Sequence, residues 1–230
     1  QWIGQTFANL GEGLAADGAD AETRQSYFDE AAAVFQAMID RAATEPDFPP
    51  TSNSVLAVRV QLGNALRNSG EYEQSLDIFS SILLERQLLL DVQKSAAYTY
   101  QQWGRAEDPS QLLNAIRGGR IDSSTGKNLI WGWSRLASVA GRVAKQQPKY
   151  KDLFFECWLN VARCRYFAAE QADGAERSKQ LSSARRTLRS VVRQYPDLGG
   201  PQRRADFDRL LKQIQQLEGK EPVGLEELEG

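Results

Sequence analysis

The sequence predicts an all-α chain, folded as a stack of antiparallel helix pairs. Three observations lead there. Ala, Leu, Gln, Arg and Glu dominate, while Pro is scarce and clusters of Val, Ile and Thr are few, a composition that favours helix. Apolar residues recur at helical spacing, as in Ala31, Phe35, Met38 and Ile39, which form one stripe of a helix. Helix-length segments are separated by short breaks such as Asn68-Ser69-Gly70 and Pro148, the residues that end helices and make turns. A single pair of helices cannot bury its apolar stripe alone, so neighbouring pairs must close it.

Ten helices follow in order. The first covers Trp2 to Ala16 and is followed by a loop at Asp17-Gly18-Ala19-Asp20. The second runs from Ala21 to Ala43, where Pro46, Pro49 and Pro50 end it. Helix three, Ser52 to Asn68, and helix four, Tyr72 to Arg86, are joined by a tight glycine turn. Helix five spans Leu88 to Trp103. Pro109 starts a short helix through Ile116, and Gly118-Gly119 stops it. Ser123-Ser124-Thr125-Gly126 reads as a loop and N-cap region for a helix from Lys127 to Lys145. Helix eight, Lys151 to Gln171, carries Phe154, Phe155, Trp158, Leu159, Ala162 and Tyr166 on nearly two sides, which calls for deep burial. Helix nine spans Ala175 to Tyr195. Helix ten, Pro201 to Leu217, sets Phe207, Leu210, Leu211, Ile214 and Leu217 on one face and charged residues on the other, as a terminal cap requires. Residues 218–230 are acidic and contain glycine, and read as a flexible tail.

The stretch from Val60 to Gln87 is the most specific. Leu62-Gly63 stands three residues before Leu66, Gly70 opens the turn, and Tyr72, Ser75, Phe79 and Ile82 follow at helical spacing. This pattern resembles the tetratricopeptide repeat, a helix-turn-helix unit. Ile3, Gly4 and Phe7 keep the same Leu-Gly-x-x-Tyr spacing, and Tyr100 and Gly104 match Leu66 and Gly70 one repeat of 34 residues later. Trp133, Leu136, Ala137 and Ala140 are similar to the first-helix half of the motif. Ala184, Leu188, Val191, Val192 and Pro196 are similar to the second-helix half, with Leu for Phe and Val for Ala. The resemblance covers about two thirds of the chain; it is specific at 56–104 and 184–196, looser at 1–43 and 128–172, and absent at 105–127. It implies a right-handed α-solenoid over 1–217, more regular over 1–104, an irregular connection at 105–127, divergent repeats over 128–217 and a C-terminal capping helix.

Several chemistries are unsupported. The chain has no histidine, the commonest general base and metal ligand. Cys157 and Cys164 lie seven apart on one helix, a rise of about 10.5 Å that exceeds disulfide reach; they read as core residues. Ser123-Ser124-Thr125-Gly126-Lys127 lacks the leading glycine, the final Ser or Thr and the strand of a phosphate loop. Gly11-Glu12-Gly13 lacks the third glycine and the strand of a dinucleotide site. No carboxylate pair and no Cys/His spacing marks a catalytic or metal centre. The expectation is a chain that is not an enzyme, with no cofactor, no metal and no catalytic residue.

The resemblance implies instead a non-catalytic protein–protein interaction scaffold or assembly factor, whose concave groove holds a protein or peptide segment. The groove is lined by the first helix of each pair. Transferred to this sequence, the partner-binding positions are Asn64, Arg67 and Asn68 on helix three, and Lys94, Tyr98, Gln101 and Gln102 on helix five. Asn and Tyr engage a peptide backbone, and Arg or Lys a carboxylate. The carboxylate clamp of chaperone adaptors is not reproduced, because Val60 stands at its lysine position beside a matching Asn64. A second reading is a structural part of a larger multidomain protein packing in cis, which an exposed apolar face at Trp2–Leu10 would mark.

A third reading is nucleic-acid binding. Residues 1–115 hold 7 Lys+Arg against 16 Asp+Glu, and residues 116–230 hold 21 against 14. Arg163, Arg165, Arg185, Arg186, Arg189, Arg193, Arg203 and Arg204 supply much of this excess. Helical spacing puts Arg185 and Arg189 on one face and Arg186 and Arg193 on another, interleaved with core positions Leu188 and Val192. A phosphate-binding stripe needs them gathered, so a solvated helix face is the plainer reading and nucleic acid is not the expected partner. Trp131 and Trp133 read as packing residues. No apolar run reaches the ~18 residues of a membrane span, so a soluble chain is expected. The start at Gln1, with no signal peptide in view, reads as a piece of a longer or processed protein. Localisation stays open: the lack of a disulfide framework favours the cytoplasm, while the segment Val191 to Pro196 is similar to repeats of bacterial envelope assembly lipoproteins.

Overall fold

A computed structural model describes residues 2–16, 20–45 and 51–229. Among them are eleven α-helices and one two-stranded sheet, so the chain is all-α apart from one short hairpin. The loop at 17–19 and the prolines at 46, 49 and 50 lie outside the described residues. The chain divides into two compact units, residues 1–102 with 120–130, and residues 103–119 with 131–230.

In the first unit, α1 (Trp2–Ala16), α2 (Ala21–Thr44), α3 (Ser52–Ser69) and α4 (Tyr72–Glu85) are followed by α5 (Leu90–Ala106), whose last turn belongs to the second unit. Asp20 caps α2 through its carboxylate, which accepts from the Thr23 N–H at 2.8 Å. Thr51 caps α3, and Gly70 closes it in the left-handed conformation at φ 96°, which glycine adopts without strain.

Successive helices pair antiparallel because small residues admit large rings. A Cβ on Gly4 would lie 2.8 Å from the Phe35 ring, and one on Gly11 would lie 2.8 Å from the Phe28 ring. As the number rises along α1 it falls along α2. In the next pair Gly63 lies under Phe79. Around it, Arg59 bonds Ser81 at 2.9 Å and Glu85 at 2.8 Å, and the Ser75 hydroxyl donates to the Gly63 carbonyl at 2.8 Å. Phe35, Phe79, Leu76, Ile82 and Leu83 are buried completely.

Strands β1 (Gly119–Ile121) and β2 (Asn128–Ile130) form the hairpin, and this corrects the expected helix from Lys127. The Asp122 carboxylate accepts from the Ser124 N–H and from the Ser124 and Thr125 hydroxyls, which holds its own pKa below the usual carboxylate range. Gly126 then turns at φ 64°, and the local hydrogen bonds close the hairpin instead of starting a helix. The Leu129 carbonyl accepts from the Gln93 side chain at 3.0 Å, which ties β2 to α5.

In the second unit the last turn of α5 is followed by α6 (Gln111–Arg117), α7 (Gly132–Ala144), α8 (Lys151–Glu170), α9 (Gly174–Gln194), α10 (Pro201–Leu217) and α11 (Glu226–Glu229). Gly132 sits at φ 64° against the backbone of Ala115 and Gly118, where any Cβ would clash; this sets the start of α7. Trp133, Leu136, Ala137 and Ala140 are buried completely. Helix α8 packs on α6, α7, α9 and α10 and buries Leu153, Phe155, Cys157, Leu159, Val161 and Cys164, as its two-sided pattern predicts. Burial raises the Cys164 thiol pKa far above its ordinary value, consistent with a packing role.

The tail corrects a second expectation. Residues 218–229 fold back along α10. Leu225 is 3% exposed in the core of the unit, its N–H donates to Asp208 at 2.9 Å, and the Gly224 N–H donates to the Gln215 side chain at 2.8 Å. Acidic composition suggested a solvated segment, but one leucine inserts into the core and the carboxylates find cations. Arg185 of α9 meets Glu218 at 2.6 Å and Glu227 at 2.8 Å.

Candidate functional site

The residues expected to bind a partner fall in the first unit. On α3 the Arg67 guanidinium donates to the Asn64 side-chain oxygen at 3.1 Å and to that of Asn68 at 3.1 Å. These residues stand at i, i+3 and i+4, one helical face. Burial pushes the Arg67 pKa below its ordinary value, with Tyr98, Glu12 and Tyr72 acting against that shift; the side chain remains charged at neutral pH. Lys94 of α5 lies over the Tyr98 ring, 6.0 Å from its centre. Asn64, Arg67 and Asn68 are therefore joined on α3, Lys94 and Tyr98 are neighbours on α5, and Gln102 is exposed.

Gln101 is the exception and is corrected here. It is 6% exposed, because α5 turns Gln93, Ala97, Tyr100, Gln101 and Gly104 inward as one stripe. The Asn64 and Asn68 oxygens are already engaged by Arg67, so this cluster offers a partner less open hydrogen-bonding capacity than the residue types suggest. A small hollow of about 410 Å³ in the same unit is lined by Ala32, Leu62, Leu66, Gln74 and Ile78, among others, and by none of the expected residues.

The second unit holds a larger concave site that spacing alone did not reveal. A groove of about 790 Å³ has α7 as one wall, α8 as its floor and α9 as the other wall. Phe154 and Trp158 of α8 line the floor, and Tyr195, just past the end of α9, lines it with them. The rings of Phe154, Phe155 and Tyr195 meet edge to face with centres 5.2 to 5.6 Å apart, an arrangement aromatic quadrupoles favour. Gly141 makes room for the floor, since a Cβ there would lie 2.9 Å from the Phe154 ring.

Cations line both walls. Arg142 stands on α7, Lys145 at its C-cap and Arg186 on α9. A second hollow of about 450 Å³ on α9 shares Arg186, Ser190 and Gln194 and adds Arg189 and Arg193. No Asp or Glu lines either hollow. None of these five cationic side chains forms an ion pair or hydrogen bond with another described residue. The sequence separated Arg185 and Arg189 from Arg186 and Arg193. The structure instead takes Arg185 out, into its bonds with Glu218 and Glu227, and leaves the other three together on the groove side. Guanidinium forks match carboxylate and phosphate geometry, so the site suits an anionic ligand with an apolar part.

Among the described residues no three His, Cys, Asp or Glu side chains gather as a metal-binding group, and no helix is long and apolar enough to cross a membrane. Comparison with protein-family models, curated proteins and solved structures finds no match.

Proposed function

We propose that this chain is a non-catalytic protein-interaction scaffold, a right-handed solenoid of tetratricopeptide-like helix pairs that holds a segment of a partner protein. The repeated register supports the family reading: Gly4 under Phe35 and Gly63 under Phe79 are the small first-helix and large second-helix positions of that motif. The observation that carries the function is the groove over α8, about 790 Å³ and walled by two helices. An open trough between two helices, with an aromatic floor, offers a chain segment apolar pockets to dock in. The Asn64, Arg67 and Tyr98 cluster is a second contact surface under this reading.

Selection from a random-peptide display library on the immobilised chain tests it. Sequence-specific enrichment is the expected result, and failure to enrich any sequence over an empty support would refute the scaffold reading. One observation favours packing in cis as a second reading: Trp2 is 80% exposed and Ile3 55% exposed on α1, an apolar face that a further surface would cover. Under that reading Trp2→Ser/Ile3→Ser lowers the binding of an apolar dye and leaves peptide selection unchanged.

A further inference from the structure

Helix α9 sorts its cations into two sets. Arg177, Lys179 and Arg185 each meet a carboxylate, at 3.4, 3.1 and 2.6 Å. Among the described residues Arg186, Arg189 and Arg193 meet none, and neither do Arg142 of α7 and Lys145 just past its end, across the groove. Asp197, the carboxylate closest in sequence to this end of α9, is 3.4 Å from Lys151. Arg142, Lys145 and Arg186 line the groove, and Arg189 and Arg193 line the hollow that shares Arg186 with it; like charges gathered in this way repel one another, and an anionic occupant converts that repulsion into attraction.

We infer that the groove between α7 and α9 takes an acidic polypeptide segment with apolar side chains set among its carboxylates. This rests on the scaffold reading and names the chemical class of its partner. The apolar requirement comes from the floor, where Phe154, Trp158 and Tyr195 offer ring surface. The acidic requirement comes from both walls. Arg186 and Arg193 stand two helical turns apart, about 10.5 Å along the axis. An extended segment advances about 3.4 Å per residue and alternates its side chains between two faces, so carboxylates two or four residues apart share one face and bracket this span within reach of the arginine side chains, while a residue between them turns its side chain the other way, toward the rings. The alternative polyanion, single-stranded nucleic acid, fits less well. Its binding surfaces track the backbone with many gathered cations, whereas the cationic side chains lining this groove are three, Arg142, Lys145 and Arg186.

The test is the same peptide selection, run on the wild-type chain and on Arg186→Glu/Arg193→Glu, with a labelled oligouridine titrated in parallel. Both positions are exposed and have no side-chain partner among the described residues, and far-UV circular dichroism checks that the variant folds. The wild type is expected to enrich peptides with several Asp or Glu and at least one large apolar residue. Those peptides should bind the charge-reversed chain about tenfold or more weakly, the scale of losing close interfacial charge pairs. Arg186→Gln/Arg193→Gln should fall between the two, and raised salt should weaken wild-type binding. Enriched peptides without acidic residues, or equal binding by wild type and both variants, would overturn the inference and leave the scaffold reading standing. Tighter binding of oligouridine than of any enriched peptide would overturn it in favour of nucleic acid. No enrichment at all would remove the scaffold reading together with it.

Discussion

The antiparallel register of the first unit makes opposite predictions for two helical glycines. At Gly63 an added Cβ would sit 2.7 Å from two carbons of the Phe79 ring. Ordinary contact begins near 3.4 Å, so ring or helix must retreat by roughly 0.7 Å inside a core where Phe79 is buried completely. Overpacking of this kind costs about 1–3 kcal/mol. Alanine recovers at most about 1 kcal/mol of helix propensity. The net expectation for Gly63→Ala is a loss of about 1–2 kcal/mol. At Gly13 a Cβ meets nothing within 4 Å, so Gly13→Ala should gain about 0.5–1 kcal/mol. Urea titration followed by circular dichroism measures both, and hydrogen exchange of α3 and α4 localises the first. A smaller partner should rescue the clash: Gly63→Ala with Phe79→Leu is expected to be more stable than the two single losses combined, a coupling of at least ~0.5 kcal/mol. Stabilisation by Gly63→Ala, or strict additivity with Phe79→Leu, would refute the claim that this glycine is selected by ring packing.

Three further outcomes follow from the same contacts. Arg185→Met leaves Glu218 with Lys220 at 3.0 Å and Glu227 with the Gln215 side chain at 2.6 Å but removes the cation that joins the two carboxylates; a loss of about 1.5–3 kcal/mol and faster exchange over 218–229 are expected. At Asp208, burial acts to raise the carboxyl pKa, but the Lys212 ammonium and the Leu225 N–H outweigh it and hold the value below the usual range. The unfolded carboxyl titrates near 3.9, so the stability this group adds is present above about pH 4 and is lost as pH falls through its lower folded value. Exchange over 221–229, corrected for its intrinsic pH dependence, should rise only below about pH 4, and Asp208→Asn should remove that dependence. Asn64→Ala/Asn68→Ala removes both acceptors of the half-buried Arg67 guanidinium and should cost about 1.5–3 kcal/mol per bond to a charged group at most, read by urea titration.

Most helix boundaries were legible because local chemistry sets them. The predicted spans for α1 and α10, Trp2–Ala16 and Pro201–Leu217, coincide with the structure, since Pro201 opens a helix well and the apolar stripes are strong. The hairpin was not legible. Three-residue strands are too short to show a period of two, and Asn128-Leu129-Ile130 reads equally as a buried helical turn. The tail was misread for a related reason: composition averages over residues, while Leu225 alone decides that the segment docks. Gln101 misled because a polar residue on an inward stripe looks like an outward one until the core face of α5 is known.

The groove shows where sequence reasoning stops. Periodicity correctly set Arg186 and Arg193 on one face of α9, because that relation is local and needs only 3.6 residues per turn. It could not say that Arg142 and Lys145 would face them, since that depends on α7 and α9 packing on either side of α8. Nor could it separate Arg185 from Arg186. Neighbours in sequence lie about 100° apart on a helix, and here that rotation divides two roles. Arg185 turns toward α10 and α11 and neutralises two carboxylates within the fold. Arg186 turns toward the trough and keeps its charge unspent. The same residue type thus contributes to stability on one side of α9 and to recognition on the other, and the assignment follows from where the chain's own carboxylates end. If the trough's charges served only solubility, the two Arg186 and Arg193 reversals would leave every bound peptide in place.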